Sequence, residues 1–217
     1  MPLSKNKDLH GAAPDKCAVA LLLVDWINDL EFDAASKLFP HALKAANAVA
    51  ALRRRARQAG VPVIYCNDNF GKWRSDFRSL LEHCLHDDVR GRPIAELLAP
   101  DEHDYFVLKP KHSGFHSTSL DVLLAHLGAS TLILTGIAGN FCVLFTAHDA
   151  YMRDFRLLVP RDCTASEEEA DNRHALEHMA KACKADTGIS SGIDFGALRG
   201  GSTAGKPHSR RSAGLPC

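Results

Sequence analysis

Residues 131–151 read TLILTGIAGNFCVLFTAHDAY. The first six are apolar or β-branched and predict a strand over 131–136. Gly136 and Gly139 punctuate a short loop, and Cys142 stands near the start of a helix predicted over 141–154. Strand, short loop and helix in direct succession make the repeating unit of a parallel α/β sheet. A thiol at the strand-to-helix turn has two readings. It is a small buried hydrophobe, or it is a nucleophile held at a helix N-terminus. Residues elsewhere in the chain must decide between them.

Working outward, the same alternation recurs. AVALLLV at 18–24 is continuously apolar, as expected of a strand covered on both faces. Residues 41–59 carry Leu43, Ala46, Val49, Ala50, Leu52 and Ala56 at helical spacing, with Pro40 placed for a first helical position and Gly60 for the end. VPVIYC at 61–66 predicts the next strand, 67–75 a loop and 76–86 a helix. DYFVLK at 104–109 predicts a strand, 118–128 a helix ending at Gly128, RLLVP at 156–160 a strand and 166–183 a helix. The expected fold is a three-layer α/β/α sandwich with a mainly parallel, Rossmann-like sheet. The expected organisation is a flexible N-terminus over 1–16, one domain over 17–198 and a mobile tail over 199–217, where Gly, Ser and basic residues dominate.

Composition removes several function classes. The formal net charge is zero and no long basic run occurs, so nothing points to nucleic acid or an anionic membrane. No apolar stretch approaches a membrane span, and no secretory signal is legible. Seven cysteines at 17, 66, 84, 142, 163, 183 and 217 form no C-x-x-C pair. That pattern suits free thiols in the cytoplasm. The histidines form no zinc-binding pattern. Neither a metal nor another cofactor is expected.

Ligands of open parallel sheets bind beyond the carboxyl ends of the strands. Asp25 follows the first strand, Lys109 ends the third and Cys142 lies just past the fourth. A carboxylate can take a thiol proton, an ammonium favours the thiolate, and a helix N-terminus adds partial positive charge. Singly, each residue has a plainer reading: a cap, a solvated lysine, a buried cysteine. Their joint placement at three strand ends favours a site.

Three segments carry a resemblance to a known family. They are LLLVDWINDLEF at 21–32, VLKPKHSGF at 107–115 and GIAGNFCVLFTAHDAYMRDF at 136–155. In order and spacing the chain resembles the isochorismatase-like cysteine hydrolases, which include nicotinamidases and N-carbamoylsarcosine amidohydrolases, over about residues 18–185. The resemblance implies Asp25 as general base, Lys109 as its electrostatic partner and Cys142 as nucleophile. Lys111 is a rival lysine, but the spacing to Ser113 selects Lys109. It also implies a cis peptide at Ile137–Ala138 and an oxyanion hole made by the N–H groups of Ala138 and Cys142. Departures are informative. The loop CNDNFGKWRSDF has no histidine after Asp68, so the nicotinamidase metal site is not expected, and Phe141 replaces a polar residue before the nucleophile. Ile27 stands where the family often has Gln. Nicotinamide itself is therefore disfavoured, as is the vinyl-ether hydrolysis of isochorismatase proper, which lacks the cysteine.

The expected activity is cleavage of a C–N bond in a small amide or ureido/carbamoyl substrate through a thioester, which water activated by Asp25 then cleaves. Trp26, Leu30, Trp73, Phe115 and Phe141 are candidates for the substrate pocket, with core packing as the alternative for each. Three rivals stay open: a catalytically silent small-molecule binder on the same fold, hydrolysis of another bond, and a Cys–His hydrolase using His112 or His116, since His148, six residues after Cys142 on the predicted helix, points away from the thiol. The resemblance further implies a homo-oligomer, a dimer or tetramer.

Overall fold

β1 (Val19–Val24) is buried at every position, because it lies in the middle of the sheet with helices on both faces. Val19, Leu21 and Leu23 point into one hydrophobic core, and Ala20, Leu22 and Val24 into the other. That two-sided burial is the cause of the uninterrupted apolar run. The computed structural model describes residues 16–70 and 76–200. The chain continues through α1 (Ala35–Gln58), β2 (Val63–Asp68), α2 (Phe77–His86), α3 (Arg92–Leu97), β3 (Tyr105–Lys109), α4 (Leu120–Leu127) and β4 (Thr131–Ile137). A π-turn over Gly139–Val143 leads into α5 (Leu144–Tyr151), then β5 (Arg156–Leu158), β6 (Thr164–Ala165), α6 (Glu169–Ala182) and α7 (Phe195–Gly200). The strand order is β3-β2-β1-β4-β5, with β6 paired to the far end of β4, and every pairing is parallel. α1, α2, α3 and α7 supply side chains to one core, and α4, α5 and α6 to the other. The sandwich has the three layers read from the sequence.

Several boundaries differ, each for a local reason. α1 begins at Ala35, so Pro40 lies inside the helix and not at its start. The ring removes one N–H, and the carbonyl it leaves unpaired belongs to Ser36, an exposed residue that water can solvate. β2 runs on through Asn67 and Asp68, because β3 continues to pair with it as far as Asp68 opposite Lys109. The helix after Cys142 opens with a π-turn, and α6 starts at Glu169. Three short elements, α3, β6 and α7, carry too few residues for a periodic signal. α7 takes up the start of the Gly-rich terminal stretch, with Phe195 buried. Residues 1–15, and the tail from 201 onward, lie outside the described residues.

Gly128 closes α4 in the left-handed conformation, as its position in the sequence anticipates. Gly136 has a different task. Its φ is 155°, and a Cβ there would stand 2.5 Å from the Val24 carbonyl oxygen and 2.9 Å from Val143 Cγ2. Glycine thus lets β1, β4 and the π-turn meet closely beneath Cys142. Gly136→Ala is expected to destabilise the protein by about 1–3 kcal/mol, the usual cost of overpacking a rigid core. Urea unfolding of the purified variant checks this; an unchanged midpoint would show that the three segments can part without cost.

Candidate active site

The site sits beyond the carboxyl ends of β1, β3 and β4. β1 and β4 are neighbours, but β3 lies beyond β2. At the usual strand spacing that is about 10 Å from β1. The long Lys109 side chain and the shorter Asp25 side chain meet across it. Lys109 is fully buried, and its Nζ lies 2.8 Å from Asp25 Oδ2, 3.3 Å from Asp68 Oδ2 and 3.4 Å from Cys142 Sγ. The ammonium ties the site together. Lys111, its rival in the sequence, is exposed.

Asp25 closes β1 with φ 53°, a left-handed conformation that Asp adopts more readily than most residues. Its backbone N–H donates to the Cys66 carbonyl, which anchors the turn to β2. Its side chain accepts a hydrogen bond of 2.6 Å from the Asp68 N–H. Asp25 and the Cys142 thiol also influence each other's titration. Burial raises the Asp25 pKa above the ordinary carboxylate range, although Lys109 pulls it back. Burial likewise pushes the Cys142 thiol up to about 12, with the Asp25 charge adding to the rise and Lys109 opposing it. For Lys109, burial pulls downward, but Asp25, Cys142 and Asp68 together hold it above the usual lysine range. Burial thus works against the thiolate that Lys109 favours.

Cys142 is the one cysteine among the described residues that is not buried. Its π-turn follows Ala138, and the Ile137–Ala138 peptide is cis, as the resemblance implies. The Phe141 and Val143 N–H groups both donate to the Ala138 carbonyl. The Asn140 N–H donates to Ser166 Oγ, and a Cβ on Gly139 would stand 2.1 Å from Asn172 Oδ1. β6 and α6 thus brace the loop from behind.

The pocket candidates separate. Trp26 and Leu30 are enclosed in the α1-side core, with the indole N–H donating to Thr135 Oγ1. Phe115 is enclosed in the other core beside Phe155, with the Arg153 guanidinium 4.7 Å from its ring centre. Phe141 is 49% exposed and flanks the thiol. Trp73 lies outside the described residues. His148 pairs with His178 at 3.1 Å, away from the sulfur, and His116 is exposed. His112 is different: its Nδ1 is 3.6 Å from Cys142 Sγ.

Two contacts were not placed by sequence reasoning. Asp68, read as part of a loop, is a second carboxylate on Lys109. The available signal was its place at the end of the VIYCND run, level with Lys109 across the β2–β3 pair. His112 stood as one of two retained histidines, with His116, after His148 was set aside. Among the described residues no group of three or more His, Cys, Asp or Glu side chains is arranged to hold a metal ion. No helix among them is long and apolar enough to cross a membrane.

Comparison with known proteins agrees with this geometry. Over 164 residues, 76% of the chain, it is 44% identical to the isochorismatase family protein YaaI of Bacillus subtilis and spans 90% of that protein. It is 28% identical to the maleamate amidohydrolase of Pseudomonas putida, covering 77% of this chain and 79% of that one. Among solved structures, the N-carbamoylsarcosine amidase of Thermoplasma acidophilum superposes with a TM-score of 0.65 at 26% identity, covering 81% of this chain and 98% of that one. The isochorismatase domain model matches residues 19–188, and with the relatives above it establishes that the chain belongs to the isochorismatase family.

Proposed function

We propose that the protein is a cysteine hydrolase that cleaves the C–N bond of a small amide or ureido/carbamoyl substrate through a thioester on Cys142. The observation that carries this reading is the Asp25–Lys109–Cys142 cluster, with Nζ 2.8 Å from the carboxylate and 3.4 Å from the sulfur. The thiol proton passes to Asp25 as the sulfur attacks, and the upward shift that burial gives the carboxylate suits it to receive that proton. Lys109 keeps its charge throughout and offsets the anion on whichever partner holds it. The N–H groups of Ala138 and Cys142 serve as oxyanion donors. Asp25 then protonates the leaving nitrogen, and water cleaves the thioester. The names of the maleamate and N-carbamoylsarcosine relatives support an amide or carbamoyl substrate. Phe141, beside the thiol, suits a substrate with an apolar portion.

The same reading takes the protein as a cytoplasmic homo-oligomer. Free cysteines support the compartment. Phe145 and Met152 support the assembly, since α5 and the turn after it expose them at 51% and 70%.

A panel of small amides and ureides, assayed for release of ammonia or amine with Cys142→Ala protein as the blank, tests the proposal. At least one of them is expected to be turned over only by the parent. If none is, while an ester or a vinyl ether is, the bond assignment is wrong.

A further inference from the structure

A groove between α1 and α6 shares no residue with the Asp25–Lys109–Cys142 cluster. Ser166 and Asn172, which brace the loop before Cys142 from behind, form part of its wall. Its volume is about 470 Å³, the size of a small-molecule site. Part of the lining is apolar, with Ala45 and Ala48 from α1 and Leu176 from α6. Three cations also border it: Lys44 from α1, Arg161 from the turn before β6 and Arg173 from α6. Among the described residues none of these three side chains has an ion-pair or hydrogen-bond partner. The two carboxylates of the groove each have one. Asp162 accepts from the N–H and the hydroxyl of Ser190 at 2.8 and 2.7 Å, and Glu169 lies 3.6 Å from His41 Nδ1. Positive charge is therefore in excess there, and it comes from three separate elements of the fold.

Thr164 adds an independent observation. It lines the groove, is 4% exposed, and its Oγ1 has no hydrogen-bond partner among the described residues. A buried hydroxyl left unpaired costs stability. A rotamer change about χ1 would give it an acceptor oxygen seated in the groove.

We propose that this groove is a second binding site, for a small phosphate monoester. The dianion sits among Lys44, Arg161 and Arg173, and the organic portion lies over Ala45, Ala48 and Leu176. Guanidinium forks pair with phosphate oxygens two at a time, and two arginines with a lysine offer more charge than one carboxylate can use. The small side chains of α1 leave room for the organic portion. The inference is independent of the hydrolase reading, because no catalytic group takes part in it.

The probe is phenyl phosphate, titrated calorimetrically into the full chain at fixed ionic strength. The expected result is one site per chain with a Kd of about 1 mM or tighter, within reach of a ligand of this size. Benzoate lacks the dianion and inorganic phosphate lacks the ring, so each should bind at least about fivefold more weakly. The double variant Arg161→Gln/Arg173→Gln should raise the Kd at least about tenfold, as for loss of charge-assisted hydrogen bonds. Ala48→Phe should block the groove without changing its charge. Thermal melts of the ligand-free variants check that each is folded. Protein alkylated by iodoacetamide, with the modification mapped by mass to the Cys142 peptide, should bind phenyl phosphate as the parent does. Absence of saturable binding overturns the inference. So does binding that survives both variants, since the ligand would then sit elsewhere, and binding that is lost on alkylation of Cys142, which would place the phosphate at the thiol. Benzoate binding as tightly as phenyl phosphate overturns the ligand class.

Discussion

Cys142→Ala is expected to lower kcat/KM for any accepted amide by at least about 10⁴-fold, because residues that act as a catalytic unit are lost together when the nucleophile goes. Asp25→Asn should cost about 10²–10⁴-fold, the range for removing a general base. The fold should survive both changes. Cys142 is only half-buried, so truncating it removes one sulfur from the edge of a core and should change stability by about 1 kcal/mol or less. Asn at position 25 keeps the shape and an oxygen for the Asp68 N–H. Steady-state kinetics on a substrate from the amide and ureide panel, with thermal melts of the same preparations, decide the matter. Near-parent activity in Cys142→Ala would remove the nucleophile from the mechanism, whatever its surroundings.

Lys109→Met should damage both activity and stability. The ammonium is fully buried between two carboxylates, and Asp25 has 7% of its side chain exposed. Removing the cation leaves a buried charge without compensation, which typically costs about 3–5 kcal/mol. The cost should depend on pH, with a definite sign. The Asp25 pKa is already raised by burial, and Lys109 is the largest influence lowering it. Without Lys109 it rises further above its unfolded value. A group with a raised folded pKa contributes stability below its unfolded pKa and loses it as pH rises through the folded one. The stability gap between parent and variant should therefore widen from about pH 5 to about pH 8. Urea titrations at the two pH values measure it. A gap that is constant or that narrows would mean that Lys109 does not compensate Asp25. Adding Asp25→Asn to Lys109→Met should recover part of the loss, since no buried charge then remains at that position.

Much of this architecture was legible in the chain because its causes are local. A strand covered on both faces must be apolar at every position, and β1 is. Gly128 is where a left-handed residue ends a helix. Pro40 misled because a proline marks a helix start only on average. Near an exposed end of a long helix, solvent accepts the carbonyl that the ring leaves unpaired. The short elements α3, β6 and α7 were silent because their formation depends on neighbours. β6 is two residues long and pairs only with the end of β4.

The site divides along the same line. From the sequence alone came Asp25, Lys109 and Cys142 as polar residues at strand ends, since parallel α/β topology sends every such end to one edge of the sheet. Distances across that edge are not written locally. Only the tertiary structure decided that Lys109 reaches past β2 to Asp25 and Cys142, and that it also meets Asp68 at the end of β2. Only it decided that burial pushes the thiol pKa upward, because desolvation depends on everything packed around the sulfur. It also separated His112 from His116. Both lie just after β3 in the sequence, but only the fold of the loop after β3 against α5 carries one imidazole to Cys142.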